Sequence, residues 1–299
     1  MNRPYLPEGM NQSYRENAAA LQSLNEIRSA VREGTPLEVC AERCDNRHDL
    51  HGTLAGFPAV IRREDAVSSR ISGAGKEIAV LSLVGKPVCC TLSGIASDPD
   101  DGTVLLLQRR LLQEQALAYL LDSLSEGDVI PAVITSLSPM GAFADIGCGV
   151  IALLPIRQIS VSRICHPRER FVPRQQIFAA IESIDRTQGR FLLTHKELLG
   201  TWQENAALFH AGDTVVGVVR GVKSYGVFVE LTPNLTGLAE PDDSLHDGDE
   251  VAVLIKALLP EKQKVKLHII SVLGSCSQCA PLRYFRRSGN ILGWDYHAK

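Results

Sequence analysis

The chain has 299 residues, of which 45% are hydrophobic and 22% are charged, and its formal net charge is −3. This length predicts two or three domains, each long enough to bury a core. The near balance of charge excludes a protein that coats nucleic acid through bulk positive charge, so such binding requires local basic patches. Residues 1–10 lack the apolar run of a signal peptide, and no stretch is long enough to span a membrane. We therefore expect a cytoplasmic protein without a membrane partner.

The first part of the chain is predicted to be a helix followed by a β-rich segment. The helix covers residues 11–33, where apolar residues recur near helical spacing, and Gly34-Thr35-Pro36 ends it. Short apolar runs bounded by glycine, aspartate and proline then predict strands. These strands are expected at residues 37–44, 59–61, 78–84, 88–95 and 104–107.

The rest of the chain alternates helices with two further β-rich stretches. Helices are predicted at about residues 108–124 and 196–209 from the spacing of their apolar residues. The β-rich stretches cover residues 126–195 and 212–272. In the tail, the sequence Ser288-Gly289-Asn290 predicts a hairpin turn.

The two later β-rich stretches are copies of one unit. Sixteen residues separate Gly127 from Phe143, and the same number separates Gly212 from Phe228. The offset between the copies is 85 at both positions, since 212 − 127 equals 228 − 143. A repeat at a fixed offset predicts one structural unit used more than once. About five short strands in about seventy residues predict a small closed barrel of the Greek-key type.

Strand alternation assigns each phenylalanine to one face of its strand. Residues two apart share a face, so Phe143 lies with Asp145 and Phe228 lies with Glu230. We expect this acid-bearing face to be the wetter one. An exposed ring on a small barrel is a platform on which a nucleic-acid base can stack.

The repeats resemble the S1 RNA-binding domain, a five-stranded OB-type barrel. The resemblance rests on Met140-Gly141-Ala142-Phe143-Ala144-Asp145 in the first copy and on Tyr225-Gly226-Val227-Phe228-Val229-Glu230 in the second. Residues 34–110 resemble a degenerate third copy. The order of barrels and helices is similar to a short, three-barrel relative of bacterial ribosomal protein S1. The resemblance implies a mainly β fold with connecting helices, built from tandem five-stranded OB-fold barrels of the S1 type.

This organisation predicts seven segments. They are an N-terminal helical segment, a degenerate S1-like barrel, a helical linker, an S1 domain, a second helical linker, a second S1 domain and a tail. Their expected bounds are residues 1–33, 34–110, 111–125, 126–195, 196–210, 211–272 and 273–299.

For the second clear copy, the resemblance implies an RNA-binding face with two aromatic residues, Tyr225 and Phe228. The position that is usually histidine holds Glu240, a poor neighbour for phosphate, and the basic position near the last hairpin holds Lys264. Two more basic residues lie next to the ring pair and are candidates for phosphate contact or simple solvated charges. These residues are Arg220 and Lys223.

The first clear copy keeps fewer of these features. Met140 stands in place of the leading aromatic before Phe143, and Pro155 stands at the histidine position. Asp185 and Arg190 remain at the last hairpin, where Asp185 also suits a turn. Five arginines make this copy locally basic, and any single one of them is more often a solvated surface charge. They are Arg157, Arg163, Arg168, Arg170 and Arg174.

Cysteine spacing gives only half of a metal site. Cys276 and Cys279 are three apart, but a structural zinc needs four ligands, and only His268 and His297 lie nearby in sequence. We therefore expect no metal and no cofactor. The tail also mixes aromatic and basic residues over 283–287, a composition that suits either RNA or packing on the last barrel.

The working hypothesis is a non-catalytic protein that holds single-stranded RNA by base stacking and phosphate contacts. We find neither a phosphate-binding glycine loop nor a nucleophile elbow in the sequence, so no motif argues for an enzyme. The resemblance implies an association with mRNA, with the ribosome as a candidate partner, in translation. The alternatives are a protein-interaction adaptor and a regulatory subunit of an RNA-processing assembly. The sequence leaves the oligomeric state open.

Overall fold

The computed structural model describes residues 4–10, 23–68, 74–98, 102–275 and 282–297. Within these ranges the chain forms sixteen strands and five α-helices. Its contacts divide it into two compact units. The first unit comprises Met1–Leu124, Pro131–Val133 and Asp145–Ile151, and the second comprises Ser125–Ile130, Ile134–Ala144 and Ala152–Lys299. None of the described helices is long and apolar enough to span a bilayer.

The first sheet contains six strands. They are β1 (Leu37–Cys40), β2 (Arg43–Cys44), β3 (Leu50–Leu54), β4 (Phe57–Ile61), β5 (Pro87–Asp98) and β6 (Gly102–Gln108). Their neighbour order is β1-β5-β6-β4-β3-β2. The pair β4–β6 is parallel, whereas the other pairs are antiparallel. Leu37, Leu50 and Leu105 are fully buried in the core beneath this sheet.

Two closed barrels of five strands each follow. The middle barrel contains β7 (Val129–Ser138), β8 (Gly141–Asp145), β9 (Ile151–Pro155), β10 (Gln176–Asp185) and β11 (Arg190–Thr194). The third barrel contains β12 (Thr214–Lys223), β13 (Gly226–Thr232), β14 (Leu235–Ala239), β15 (Asp249–Leu259) and β16 (Lys264–Ser275). Their neighbour orders, β10-β11-β9-β8-β7 and β15-β16-β14-β13-β12, are the same circular arrangement. The prediction of a mainly β fold with tandem OB-type barrels is confirmed.

The first sheet has the same strand order as the barrels once β1 and β2 are counted as halves of one bent strand. Its single parallel pair, β4–β6, corresponds to β9–β11 and β14–β16. The sequence predicts one strand over residues 37–44, whereas the structure breaks it at Ala41 and Glu42. Because β1 pairs with β5 and β2 pairs with β3, the sheet is interrupted where one continuous strand would close a barrel. We call it a half-barrel.

The α-helices connect these sheets. They are α1 (Leu24–Arg32), α2 (Arg63–Ala66), α3 (Ala74–Leu81), α4 (Arg110–Ser123) and α5 (Trp202–Ala206). The predicted first helix is described only from Leu24, where Ser23 and Glu26 form a capping box; residues 11–22 lie outside the described ranges. The predicted helix at 108–124 corresponds to α4.

Two sequence predictions of secondary structure are wrong. Residues 78–84 were expected as a strand, but α3 occupies most of them. Alanine, lysine, glutamate and leucine in this segment favour a helix. Val80 of this helix is fully buried, whereas Ile78 is 68% exposed. The helix expected at 196–209 is interrupted at Gly200, whose φ of 87° separates a 3-10 turn, Lys196–Leu199, from α5.

The described part of the tail does not form the predicted hairpin. Its backbone instead pairs with the start of the middle barrel: the Val129 N–H donates to the Gly289 carbonyl at 2.9 Å, and the Ile291 N–H donates to the Gly127 carbonyl at 2.9 Å. The Tyr284 hydroxyl lies 3.0 Å from Nε2 of the buried His195. Further along, the Tyr296 hydroxyl donates to the Asn234 carbonyl of the third barrel at 2.6 Å. Within the second unit, the tail therefore contacts residues of the middle barrel and of the third barrel.

A buried polar network organises the first unit. Glu8 accepts two hydrogen bonds from Arg109, at 2.9 and 3.1 Å, and a third from the Cys89 N–H at 3.0 Å. The Glu8 N–H donates to Asp145 Oδ2 at 2.7 Å, and Asp145 Oδ1 accepts from the N–H groups of Gly147 and Gly149. Burial, followed by the charge of Glu8, raises the pKa of Asp145 to about 7, although the three N–H donors oppose that shift.

This buried acid predicts a pH dependence of stability. The folded-state pKa of Asp145 lies above its ordinary value of 3.8, so folding favours the protonated carboxyl. The resulting stabilisation is fully present below the ordinary pKa and is lost as the pH rises to about 7. We expect the stability of the native chain relative to Asp145→Asn to fall across this interval, because each pKa unit is worth about 1.4 kcal/mol. Urea unfolding at several pH values measures the difference, and a constant difference would contradict the assignment.

Candidate nucleic-acid interface

The glycine of each Gly-x-Phe motif lies where a neighbouring strand approaches too closely for any side chain. At Gly141 a Cβ atom would overlap the Leu154 carbonyl oxygen, and at Gly226 it would lie 2.6 Å from the Ala239 carbonyl oxygen. The φ angles of these glycines are 157° and 154°. The close approach of neighbouring strands therefore explains why glycine stands two residues before each phenylalanine.

The two phenylalanine rings lie on the face opposite the barrel cores. Ala142 and Ala144 flank Phe143 and are fully buried, and Val227 and Val229 do the same beside Phe228. Both phenylalanines are themselves half-buried, in agreement with the strand alternation. Their surfaces remain accessible while their backbones belong to the closed barrels.

Tyr225 completes an aromatic pair on the third barrel. It is 65% exposed, and its ring lies 6.1 Å from that of Phe228 at an interplanar angle of 89°. The neighbour of Phe228 on β12 is Gly221, which has no side chain to cover the ring. In the middle barrel Met140, 68% exposed, occupies the position that corresponds to Tyr225. The third barrel thus offers a rigid pair of rings, and the middle barrel a ring and a flexible thioether.

The expectation that the acids mark a wet surface is wrong. Asp145 and Glu230 are 1% and 6% exposed. Each lies on the same strand face as its phenylalanine, but at the far end of the motif, where other parts of the chain cover it. Backbone N–H groups surround Asp145, whereas arginines surround Glu230.

A concave surface, here called the third-barrel face, brings together three of the predicted residues. Tyr225, Phe228 and Lys264 line a depression of about 830 Å³, together with Leu238 and Lys266. Lys264 and Lys266 are exposed and alternate along β16, so they project from the same side of the strand. The arrangement places two cations beside a pair of aromatic rings.

Glu240, at the position of the expected histidine, also lines the third-barrel face. Its carboxylate lies 2.8 Å from Lys256 Nζ and 3.5 Å from His268 Nδ1. The hydrogen bond and charge of Lys256, with a smaller contribution from His268, lower the pKa of Glu240. This acid is therefore ionised and paired with the Lys256 ammonium, which reduces its repulsion of a nearby phosphate.

A second depression adjoins the same aromatic pair. We call it the inter-barrel groove; its volume is about 920 Å³. One wall is the middle-barrel segment from Val161 to Cys165, and the other wall includes Lys223, Tyr225 and Phe228. Tyr225 and Phe228 line both depressions, so the aromatic pair forms the boundary between them.

Buried ion pairs join the two walls of the inter-barrel groove. Glu230 Oε2 lies 2.5 Å from Arg170 Nη2 and 2.8 Å from Arg220 Nε. Arg220 also pairs with Glu169. The Arg170 and Arg220 side chains are only 6% and 10% exposed. We therefore revise the expected role of Arg220: carboxylates occupy its guanidinium, so it positions the groove and is not assigned to phosphate.

The predicted residues Arg157, Arg190 and Asp185 of the middle barrel line neither of these two depressions. Arg157 is exposed on the 3-10 turn Ile156–Gln158, and Arg190 is exposed at the start of β11. Asp185 pairs with Arg190 across the hairpin, and its Oδ1 accepts hydrogen bonds from the N–H groups of Thr187 and Gln188. These bonds identify Asp185 as a turn-stabilising residue.

The remaining candidates contribute less. Cys276 and Cys279 lie outside the described residues. Within the part of the chain that the structure describes, no three His, Cys, Asp or Glu side chains are grouped so as to hold a metal ion. In the tail, the Tyr284 ring packs edge-on against Phe178 and His195.

Sequence reasoning missed two kinds of residue. Lys266 was missed although its spacing of two from Lys264 was a usable signal. Arg170 was grouped with the surface arginines, but it is buried against Glu230, sixty residues away in sequence. No local pattern indicates such a pairing, because it depends on how the loop after β9 packs on the third barrel.

The Glu230 cluster predicts a large effect on stability. Glu230→Gln removes the negative charge that Arg170 and Arg220 share, while the pair between Arg220 and Glu169 remains. We expect the free energy of unfolding to fall by about 3–5 kcal/mol, the usual cost of breaking a buried pair. Urea denaturation measures this loss. Glu261→Gln, at an exposed acid on the turn Pro260–Lys262, is the matched control, and an equal effect of both substitutions would contradict the prediction.

Comparison with known proteins shows which family model and which proteins the chain is similar to. The model of the S1 RNA-binding domain matches residues 123–196. Small ribosomal subunit protein bS1 of Staphylococcus aureus strain COL is 35% identical over 191 residues, covering 59% of this chain and 49% of that protein. The bS1 protein of Leuconostoc lactis is 29% identical over 188 residues, covering 58% and 44%. The chain spans about half the length of the curated relatives it matches.

A solved structure of a multidomain protein with nucleic acid binding domains from Streptococcus pneumoniae is similar with a TM-score of 0.27 and 11% identity, covering 79% of this chain and 73% of that chain. The sequence comparisons are the stronger finding. Residues 123–196 match the S1 RNA-binding domain, and the chain is similar to bacterial ribosomal protein bS1 over 191 residues.

Proposed function

We propose that this protein binds single-stranded RNA without catalysing a reaction. The observation that carries the proposal is the accessible Tyr225–Phe228 pair on the third-barrel face, with Lys264 and Lys266 beside it. Bases stack on the rings and the lysines contact phosphates. The S1 RNA-binding domain match at residues 123–196 supports the same chemistry in the neighbouring barrel.

The geometry of the ring pair supports stacking with little sequence preference. The rings lie 6.1 Å apart and are perpendicular, so a strand crossing the barrel meets two differently oriented aromatic surfaces. Every base has a π face, so stacking tolerates any sequence. Tyr225 and Phe228 each have only two side-chain torsions, so binding immobilises little rotamer freedom.

The distribution of charge supports local contacts with phosphate instead of binding by net charge. The whole chain carries a formal charge of −3, yet Lys223, Lys264 and Lys266 are all exposed around the aromatic pair. These three lysines take part in none of the ion pairs found among the described residues. They are therefore available to phosphates at a site that the overall charge does not favour.

The middle barrel contributes a weaker site of the same kind. Phe143 is half-buried on its face, and Arg157 and Arg190 are exposed on the same barrel. Two weak sites on one chain bind a continuous strand more tightly than either alone, because the second contact is intramolecular. By relationship to bS1, we propose that the RNA is mRNA, that the ribosome is a candidate partner and that the role lies in translation.

An adaptor function is the second candidate, and exposed apolar residues of the third barrel favour it. Val216, Ile270, Val272 and Leu273 are each more than half exposed, and where such side chains adjoin they are candidates for a protein contact. The two functions are separated by anisotropy with labelled oligouridylate at low salt. Absence of binding there would favour the adaptor.

Removing the stacking rings tests the proposed function. Phe228→Ala is expected to weaken oligouridylate binding by about 1–3 kcal/mol, the usual worth of a base–aromatic stack. Tyr225→Ala acts in the same direction, and anisotropy titration measures both. Val272→Ala, on an exposed part of the same barrel outside the third-barrel face, is the control. An unchanged affinity in the double variant Tyr225→Ala/Phe228→Ala would reject the assignment.

The lysines predict a change in salt dependence. Each phosphate contact on a single strand contributes about 0.7 to the slope of log affinity against log salt concentration. Lys264→Gln and Lys266→Gln should each reduce the slope by about that amount, because each removes one contact. Lys262→Gln, at an exposed lysine on the neighbouring turn, should leave the slope unchanged. Parallel slopes in all variants would rule out these two phosphate contacts.

A further inference from the structure

The inter-barrel groove is made by an insertion in the middle barrel. Leu153 pairs with Leu192 in that barrel, and Leu238 pairs with Lys266 in the third. The offset between the copies is 85 at the first position (238 − 153) and 74 at the second (266 − 192). The connection between the third and fourth strands is therefore eleven residues longer in the middle barrel. Part of this longer connection forms the groove wall from Val161 to Cys165.

This wall is held at both ends. At its start, the Val161 N–H donates to Asn234 Oδ1 at 3.1 Å, and the Ser162 N–H donates to the Pro233 carbonyl at 3.0 Å. At its end, Glu169 Oε1 accepts from the N–H of Cys165 at 2.7 Å, and the same side chain pairs with Arg220. The segment between the anchors is fixed before any ligand arrives, which lowers the entropic cost of binding.

The side chains between the anchors line the groove. Arg163 and Cys165 are exposed and line the groove with Ile164. Lys223 is exposed on the opposite wall. Two cations on facing walls suit a polyanion that follows the groove, and an arginine also stacks on bases. Asp247 is an exposed acid that also lines the groove, where it offsets part of this positive charge.

We propose that the inter-barrel groove is a second nucleotide-binding site, which takes the nucleotides adjoining those stacked on Tyr225 and Phe228. One RNA strand runs from the third-barrel face, across the aromatic pair, to the Arg163–Cys165 wall. This inference rests on the proposed function, since the strand enters the groove from the stacking site. It adds Arg163 as a phosphate- or base-contacting residue and assigns the longer loop of the middle barrel a role in binding.

Cys165 provides a direct test in the unmodified protein. Its thiol is exposed in the groove wall, so its alkylation by N-ethylmaleimide reports whether the groove is covered. The rate is measured by peptide mapping with the protein saturated by oligouridylates of about 4 or about 12 nucleotides, which lie at the lower end and within the range of OB-fold site sizes. We expect the longer oligonucleotide to slow alkylation several-fold and the shorter one to leave it nearly unchanged.

Arg163→Gln supplies an independent measurement. It should weaken binding of the longer oligonucleotide several-fold and leave the shorter one unaffected, whereas Arg174→Gln, at an exposed arginine outside the groove in the same loop, should change neither. The inference requires both results. Cys165 that stays fully reactive with the longer oligonucleotide bound, or an Arg163→Gln affinity equal to that of the native chain, overturns it. Failure of the proposed RNA binding itself gives a different result. In that case neither oligonucleotide binds, or Phe228→Ala has no effect on binding.

Discussion

The Glu230 carboxylate, shared by two buried arginines, is the interaction on which the candidate interface depends. It holds Arg170, from the long loop of the middle barrel, and Arg220, from the third barrel, within 2.5 and 2.8 Å of one oxygen. Desolvating three charges is costly, and the direct pairing of both arginines with the Glu230 carboxylate offsets that cost. In return, two barrels that repeat one fold acquire a fixed relation, and the space between them becomes a defined groove beside the aromatic pair.

The same position in the two repeats shows how an inherited motif is adapted. Asp145 and Glu230 both follow their phenylalanine by two residues. Asp145 accepts backbone N–H groups and has a raised pKa because burial outweighs those bonds. Glu230 accepts arginines instead. An acid at this place therefore joins its barrel to whatever chain segment covers it, while the ring two residues earlier remains accessible.

The sequence predicts those features that depend on local periodicity. The offset of 85 predicts the two barrels, and alternation predicts which face Phe143 and Phe228 occupy. It does not predict the helix at Ala74–Leu81, where apolar residues suit a strand as well as a helix until burial is known. Nor does it predict the burial of Arg170 or the packing of the tail, because both depend on partners sixty or more residues away. The third-barrel face was therefore largely predictable and the inter-barrel groove was not.

The packing of residues 282–297 has a consequence for synthesis on the ribosome. Asn290 meets Glu126 across 164 residues of sequence, and Tyr284 and Tyr296 touch segments made earlier. During translation the middle barrel leaves the exit tunnel long before its last contacts exist, so its edge at Gly127–Val129 stays uncovered while the following barrel is made. Long-range pairing of this kind forms slowly, and a nascent chain stalled in that interval exposes a strand edge to its neighbours.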